Sequence, residues 1–333
     1  MKTKIASIPI VVALACLLAN LSLLSARVTG QSNPTGKDTT GPPAGSGVPR
    51  TSVGKPDLSG VWDFSTITPF VRPAHFAGRE FLTEEEAKQL EERWTPPEPT
   101  YTKTGTYNRF WTDYGTRVVK TRRTSLIVDP PDGKLPALTA QAQQRAVTRQ
   151  QARERLEGPE ALNLAERCLI GFNAGPPIRP GAYNNKVQIF QTPGTVAILT
   201  EMIHDARIVP LDGRPPLPTS IEQWKGDSRG RWEGDTLVIE TRNFPSSNGF
   251  IENRGTDFLR DENLHLIERF RRLDADTLTY EFTMIDPTVW TRPWTATFTL
   301  ARLPEPIFEY ACHEGNYAMT NILRGARAEE RQR

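Results

Sequence analysis

Apolar and polar residues alternate with a period of two over much of the second half of the chain. In Thr277–Met284 every second residue is large and apolar, and Thr295–Leu300 repeats the pattern. Because successive side chains of a strand point to opposite faces, this period predicts half-buried β-strands. Their predicted inward residues are Leu278, Tyr280, Phe282, Met284, Ala296, Phe298 and Leu300.

Further strands are predicted where short apolar runs are separated by turn residues. Pro193-Gly194 separates Val187–Thr192 from Thr195–Met202, as in a hairpin. The other predicted strands are Gly230–Trp232, Thr236–Thr241, Leu264–Phe270 and Phe308–His313. Strands that follow one another without intervening helices indicate a mainly β protein, an antiparallel barrel or sandwich.

Three peripheral helices are predicted. Thr83 followed by Glu86 forms a capping box that starts a helix over Glu84–Trp94. A second helix over Leu138–Leu156 has few large apolar residues, so we expect it on the surface. A third helix runs from Tyr317 to about Arg331.

The first thirty residues have the pattern of a signal peptide. A basic start precedes the uncharged, mostly apolar stretch 5–24, and Val28-Thr29-Gly30 offers a cleavage site before Gln31. The alternative is an uncleaved anchor, since about 20 apolar residues suffice to span a bilayer. We predict a periplasmic or secreted protein, without membrane insertion after cleavage. Residues 31–56 read as a flexible linker and 57–333 as a single β-rich domain with helical additions.

Charge and cysteine usage narrow the possible functions. The chain has 41 basic and 39 acidic residues, and removal of Lys2, Lys4 and Arg27 with the leader leaves 38 against 39, or −1. A nearly neutral chain does not favour nucleic-acid binding. After export, Cys168 and Cys312 are predicted to form a disulfide, with two buried free thiols as the alternative. Motifs for nucleotide cofactors and for thioredoxin chemistry are absent from the sequence.

Two resemblances add to this picture. Residues 57–62, Asp-Leu-Ser-Gly-Val-Trp, resemble the Gly-x-Trp opening of lipocalin-like (calycin) barrels, which implies that Trp62 plugs one barrel end. Most of the region 123–327 resembles an uncharacterised family of exported bacterial proteins. That resemblance implies a shared fold and site but carries no reaction. Its motifs are RTSLIVDPPDG at 123–133, EMIHDAR at 201–207, GDSRGRWEGD at 226–235 and YACHEGNY at 310–317.

Gly226-Asp-Ser-Arg-Gly230 fits a Gly-x-Ser-x-Gly nucleophile pattern. That chemistry needs a strand-to-helix elbow, whose helix N-terminus and backbone amides stabilise an oxyanion. Here strand residues follow at once, so we interpret the motif as a glycine-rich turn.

Three histidines in the β-rich half are the candidates for chemistry. His204, His265 and His313 each lie at a predicted strand or strand edge, and each has a carboxylate nearby in sequence. A histidine beside a carboxylate suits acid–base catalysis, whereas three histidines together suit Zn²⁺ or copper; ordinary hydrogen-bonded histidines are the alternative. We favour His313 as the acid or base, with an orienting carboxylate, so the candidate catalytic residues are His313, Glu314, His204 and Asp205.

Aromatic and polar residues complete the predicted site. Trp290 and Trp294 flank Arg292 and could stack on a sugar or another flat ligand, unless their rings simply fill the barrel ends. The predicted ligand-binding residues are His265, Arg207, Asn184, Tyr317, Trp290 and Trp294.

The leading hypothesis from the sequence is an exported protein that binds or processes a small organic or sugar-like ligand in a β-barrel cavity. Whether it is an enzyme stays open, and no cofactor is identified. The alternatives are a metal-dependent hydrolase or lyase and a non-catalytic envelope or partner-binding module.

Overall fold

The computed structural model describes residues 47–95, 112–245, 249–251, 258–260 and 262–332. The described residues contain three α-helices: α1 Glu84–Arg93, α2 Ala140–Arg155 and α3 Ala318–Glu330. They also contain these strands: β1 Gly60–Asp63, β2 Ile127–Asp129, β3 Lys186–Gln191, β4 Thr195–Thr200, β5 Asp205–Pro210, β6 Asp227–Glu233, β7 Thr236–Arg242, β8 Gly249–Ile251, β9 Phe258–Arg260, β10 His265–Arg272, β11 Thr277–Ile285 and β12 Trp294–Leu303.

One antiparallel sheet dominates the fold. Its strand order is β5-β4-β3-β1-β12-β11-β10-β7-β6, with β2 also paired to β12, while β8 and β9 pair separately. The prediction of a mainly β, antiparallel protein is confirmed. The hydrogen-bonded ladder does not close into a barrel, since β5 and β6 are its two ends.

The two end strands nevertheless come together through side chains. A Cβ built on Gly230 of β6 would lie 2.9 Å from Cγ1 of Val209 on β5 and 2.5 Å from Cδ2 of Leu211 just after it. A side chain at position 230 would therefore require Leu211 and Val209 to move. The two end strands thus contact each other without sharing backbone hydrogen bonds.

The predicted alternation places the inward residues of β11 and β12 in the core. Tyr280, Phe282 and Phe298 are buried, and the ring centroids of Tyr280 and Phe298 are 5.2 Å apart. Trp294 joins them, with its centroid 5.6 Å from that of Phe282. Trp62 of β1 is also fully buried, and its Nε1 donates a hydrogen bond to the Leu58 carbonyl at 2.9 Å.

The helices begin close to the predicted residues. The capping box is present: Glu86 N donates to Thr83 Oγ1 at 3.2 Å, and Thr83 N donates to Glu86 Oε2 at 2.9 Å. Helix α2 ends at Leu156, which adopts a left-handed conformation with φ 47°. Arg327 of α3 donates to the carbonyls of Leu156 and Glu157 and so attaches α3 to that end.

Two strand predictions are wrong. The segment 308–313 forms no strand; it runs into turns at 312–315, and Phe308 is 68% exposed. The apolar residues at every second position of 308–313 therefore do not mark one face of a β-sheet. Conversely, β5 was missed, because the predicted strand Thr195–Met202 ends at Thr200 and a turn leads into a new strand at Asp205.

The predicted leader, 1–30, and residues 31–46 of the predicted linker lie outside the described residues. Residues 47–56, which the linker prediction includes, are folded against the β6–β7 turn. Arg50 donates to both carboxylate oxygens of Asp235, at 3.0 and 2.6 Å, and Asp57 N donates to Pro49 O. Within the residues described, no helix has the length and apolar character needed to cross a membrane.

Candidate functional site

Three segments meet beyond the start of β5. They are the loop 163–185, the turn 201–204 and the C-terminal segment 304–317. The predicted disulfide between Cys168 and Cys312 is confirmed, with a Cα–Cα distance of 5.7 Å, and it joins the loop to the C-terminal segment. We call this region the linked end of the sheet.

The turn 201–204 has a strained backbone. Ile203 and His204 have φ values of 67° and 51°, in the left-handed region that L-residues rarely adopt. For a β-branched residue such as Ile203 this conformation costs on the order of 1–3 kcal/mol. The buried Met202, whose carbonyl accepts a hydrogen bond from Thr200 Oγ1 at 3.2 Å, helps to hold the turn. Strain of this kind is concentrated at functional sites, which directs attention to the turn.

Glu201 begins this turn as a buried carboxylate. The residue is 2% exposed. Asn184 Nδ2 donates to its Oε1 at 2.6 Å, and Phe308 N donates to its Oε2 at 3.3 Å. No cation of the described residues lies within ion-pair distance of it. A buried carboxylate is normally paired with a cation, so Glu201 is a candidate functional residue.

His204 ends the turn as an exposed imidazole. Its Nδ1 lies 3.2 Å from the backbone carbonyl oxygen of Phe308. A carbonyl oxygen only accepts hydrogen bonds, so Nδ1 must carry the proton in this contact. In the neutral ring, Nε2 is then the atom with the free lone pair. His204 therefore presents a base or acceptor to solvent.

Behind the turn, Arg207 points into the interior between the end strands. It forms a bidentate pair with Glu268 of β10, with N–O distances of 2.5 and 3.0 Å. Tyr280 Oη donates to Glu268 Oε1 at 2.7 Å and accepts from Ile178 N at 3.0 Å.

The interactions among Arg207, Glu268 and Tyr280 favour a charged guanidinium on Arg207 and a protonated phenol on Tyr280. Burial opposes the charge of Arg207, but the Glu268 carboxylate outweighs it and raises the pKa of Arg207 above its ordinary value. Burial, and then the Glu268 charge, raise the pKa of Tyr280 far above its ordinary value. Arg207 was predicted to bind ligand. In the structure its guanidinium group is occupied by Glu268, and this ion pair links β5 to β10.

A group of partly buried aromatic rings lines the linked end. The ring centroids of Tyr183 and Tyr310 are 6.4 Å apart, and those of Phe172 and Tyr183 are 5.1 Å apart. Burial, followed by Tyr310, raises the pKa of Tyr183 above its ordinary value. The guanidinium of Arg167 lies 5.5 Å above the Trp224 ring. Tyr183 and Tyr310 stack on each other and Arg167 covers Trp224, so these rings form a partly buried packing cluster at the linked end.

The structure brings together some of the predicted site residues. Asn184 and His204 are linked through Glu201 and Phe308, as described above. His313, Glu314 and Tyr317 are exposed on the segment that the disulfide attaches. The carboxylate of Asp205 lies 2.7 Å from Lys225 Nζ, and no hydrogen bond joins it to His204 within the described part of the chain.

His265 does not face the interior. The flanking Leu266 and the paired Glu268 are buried, and strand alternation therefore directs His265 to the outer face of β10. Its Nε2 lies 2.9 Å from Glu240 Oε2, and its Nδ1 lies 3.1 Å from an Arg242 guanidinium nitrogen. The prediction of one cavity lined by three histidines therefore fails for His265.

Trp290 and Trp294 are core residues rather than ligand platforms. Both are buried, with ring centroids 5.8 Å apart in an edge-to-face arrangement, and Phe70 packs on Trp294 at 6.0 Å. Both rings fill the interior of the protein, as in the alternative prediction that they are packing residues. Their faces are used by other aromatic rings, which leaves none for a sugar.

The interpretation of the Gly226–Gly230 motif as a glycine-rich turn is wrong, because its residues from Asp227 onward lie in β6 and only Gly226 precedes the strand. No helix follows the serine, so the motif does not form a catalytic elbow. Ser228 Oγ is buried and lies 2.9 Å from Thr241 Oγ1 on the paired strand. Within the described ranges, no group of three or more His, Cys, Asp or Glu side chains is arranged to hold a metal ion.

An open groove of about 830 Å³ lies on another part of the molecule, between α1, residues 113–122 and the outer face of β11 and β12. It contains charges of both signs. Its Lys120 is paired with Asp274 at 2.7 Å, and its Arg122 lies 3.4 Å from Glu84.

Sequence reasoning missed Glu201 as a site residue. The only available signal was a charged residue directly after the apolar run of the predicted strand, and that strand was extended through it to Met202. Comparison with known proteins adds no further assignment: no family model, no curated protein and no solved structure matches this chain.

Proposed function

We propose that this protein is exported, binds a small organic or sugar-like ligand at the linked end of the sheet, and acts on it through acid–base chemistry of His204. The observation that carries the proposal is the hydrogen bond from His204 Nδ1 to the Phe308 carbonyl. It leaves an exposed Nε2 that can accept a proton from a ligand hydroxyl.

The surroundings support a ligand of this class. The partly buried rings of Tyr183, Tyr310 and Trp224 give the linked end an apolar surface, and Arg167, above the Trp224 ring, adds a polar donor. His313, Glu314 and Tyr317 stay candidates for further contacts, since they are exposed on the adjoining segment. The sequence favours His313 as the acid or base, whereas the orienting hydrogen bond favours His204.

The finer predictions about fold and location belong to this proposal. The approach of β6 to β5 at Gly230 supports a barrel-like interior, which a lipocalin-like fold would have. The disulfide supports an oxidising compartment, and with it a periplasmic or secreted location. Membership of the resembling family of exported proteins stays a prediction.

Comparison of small molecules that co-purify with the protein tests the proposal. We choose His204→Asn, because asparagine tolerates a left-handed backbone and lacks the imidazole. His75→Asn on an exposed turn is the matched control. Mass spectrometry should find a compound with the native protein and the control that is reduced at least about tenfold with His204→Asn, equivalent to about 1.4 kcal/mol of binding energy. Equal amounts in all three samples would reject His204 as the site.

A non-catalytic partner-binding module is the second candidate. Phe190 of β3 and Ile208 of β5 are 48% and 58% exposed, and the strand register places Ala197 of β4 between them. An exposed apolar row across three strands suits a protein partner. Phe190→Ser should then abolish the association without changing the compounds bound at the linked end.

The metal-dependent hydrolase or lyase has less support, because the described residues contain no cluster of metal ligands. Elemental analysis of the purified full chain tests it independently of any substrate. A stoichiometric amount of zinc or copper would restore it as a candidate.

A further inference from the structure

The turn 201–204 and the C-terminal segment contact each other through two hydrogen bonds to one residue. Phe308 N donates to Glu201 Oε2 at 3.3 Å, and the Phe308 carbonyl accepts from His204 Nδ1 at 3.2 Å. The two attachment points are coupled within the turn, because His204 N donates to Glu201 O at 3.0 Å. The turn thus holds the Phe308 backbone from both sides.

Little else fixes the Phe308 backbone. Its segment has no strand partner in the described part of the chain, and its ring is 68% exposed. The next covalent attachment is the disulfide at Cys312, four residues further on. The carbonyl of Phe308 selects the tautomer of His204 only while it lies beside Nδ1, and the bond from Phe308 N to Glu201 is the other hydrogen bond of this backbone among the described residues.

From this geometry we propose that Glu201 is a positioning residue. Through the Phe308 backbone it holds His204 with its proton on Nδ1, and so makes Nε2 the atom that accepts a hydrogen bond or a proton from a hydroxyl-bearing ligand. Glu201 itself is 2% exposed and shielded by Asn184, so it acts through His204 rather than on the ligand. The use of Nε2 rests on the proposed function, whereas the tautomer does not.

Nitrogen-15 NMR of the imidazoles tests the proposal directly. The chain has four histidines, so the full-length protein labelled at histidine gives four ring systems to assign by single substitutions. At a pH where His204 is neutral, an unprotonated ring nitrogen resonates far downfield of a protonated one. In the native protein we expect the downfield signal of His204 to come from Nε2.

Three variants separate positioning from general structure. Glu201→Ala removes the acceptor of Phe308 N–H, and we expect the downfield signal to shift largely to Nδ1, the usual preference of a free imidazole. Glu201→Gln keeps one acceptor oxygen for Phe308 N–H, and its NH2 can donate to Asn184 Oδ1 once the Asn184 amide turns over, so it should restore the native pattern. Phe308→Ala keeps the backbone and should leave the tautomer unchanged.

The signals of His75 and His265 report whether the fold persists, since neither contacts this turn. If Glu201→Ala fails to fold, Asn184→Gly replaces it; it removes the amide that holds Oε1 and suits the φ of 52° at that position. A partial shift of the tautomer is then expected, and an unchanged tautomer counts against the proposal.

The results distinguish this proposal from the proposed function. A native His204 with its proton on Nε2, or a Glu201→Ala protein with the native tautomer, overturns the positioning role even if His204→Asn loses its ligand. A tautomer that depends on Glu201, together with unchanged ligand in His204→Asn, keeps the positioning role and rejects the proposed function.

Discussion

Glu268 and Phe282 are direct cross-strand neighbours on β10 and β11, and both point inward. Phe282 belongs to an apolar region in which it contacts Trp294 and the Tyr280 ring. Glu268 belongs to a polar region, where it binds the Arg207 guanidinium. Phe282 thus belongs to an apolar part of the interior, which holds the sheet together. Glu268 belongs to a polar part, which connects the sheet to the linked end.

The two regions differ in what removal of a side chain leaves behind. In the apolar region the loss is contact area and a cavity, which neighbouring side chains can partly fill. In the polar region it is an unsatisfied charge, which no rearrangement of apolar neighbours can satisfy. The polar region therefore depends on specific partners, and it connects to the loop 163–185 through the bond from Ile178 N to Tyr280.

The largest expected effect breaks the covalent attachment of the linked end. Replacing both Cys168 and Cys312 by serine releases a cross-link between residues 144 apart, which the chain-entropy model values at about 5 kcal/mol. Urea unfolding should show a loss of this order. Hydrogen exchange should show that the loop 163–185 opens locally and loses more protection than β10–β12, whose protection falls only by the loss of global stability.

If the loop 163–185 and β10–β12 open with the same free energy in the serine variant, the division into two regions is contradicted. Serine in place of cysteine at one position only, with the other retained, should give the same loss of stability as the double replacement. A single variant that keeps native stability would mean that the disulfide contributes little.

The second prediction compares the cross-strand neighbours themselves. Glu268→Ala leaves Arg207 buried without its partner and should cost about 3–5 kcal/mol, and Phe282→Ala should cost a similar amount through its cavity. A second change, Arg207→Met, should restore most of the stability of a Glu268→Met protein, because it removes the unpaired charge.

The same Arg207→Met change added to Phe282→Ala should destabilise the protein further, since it leaves Glu268 as an unpaired buried charge and does nothing to fill that cavity. Urea unfolding of the single and double variants gives the coupling energies. If Arg207→Met rescued both the Glu268→Met and the Phe282→Ala protein, or neither of them, the two regions would not differ in the way proposed.

How far the sequence predicts each region follows from the same physics. Phe282 and Phe298 lie in strands whose alternation has a fixed period, so these two strands and their inward faces could be predicted before any coordinates. The capping box at Thr83 and the disulfide are equally local or chemically restricted signals. Glu201, however, gains its meaning from Asn184 and Phe308, which are 17 and 107 residues away in sequence.

His265 shows the limit from the other side. Its residue type suggested a site, but its position on β10 directs it outward to Glu240. The alternation of the residues of β10 between two faces could be predicted from the sequence. Which of the two faces points inward, towards Arg207, could not. The turn itself was hidden because its left-handed residues, Ile203 and His204, are not the glycines that usually mark such conformations.

The smallest expected effect concerns α1, which packs outside both regions. Thr83→Ala removes the cap and should cost about 1 kcal/mol of stability, without affecting the tautomer of His204.

The pH dependence of this cap has a defined sign. Hydrogen bonding by Arg79, and then by the Thr83 backbone, lowers the pKa of Glu86 from 4.5 to about 2. A lowered pKa means that this contribution is fully present above pH 4.5 and is lost as the pH falls towards 2. Unfolding curves of the native protein and Glu86→Gln should therefore differ above pH 4.5 and converge in acid. A difference that persists at pH 2 would assign the effect to the shape of the side chain rather than to its charge.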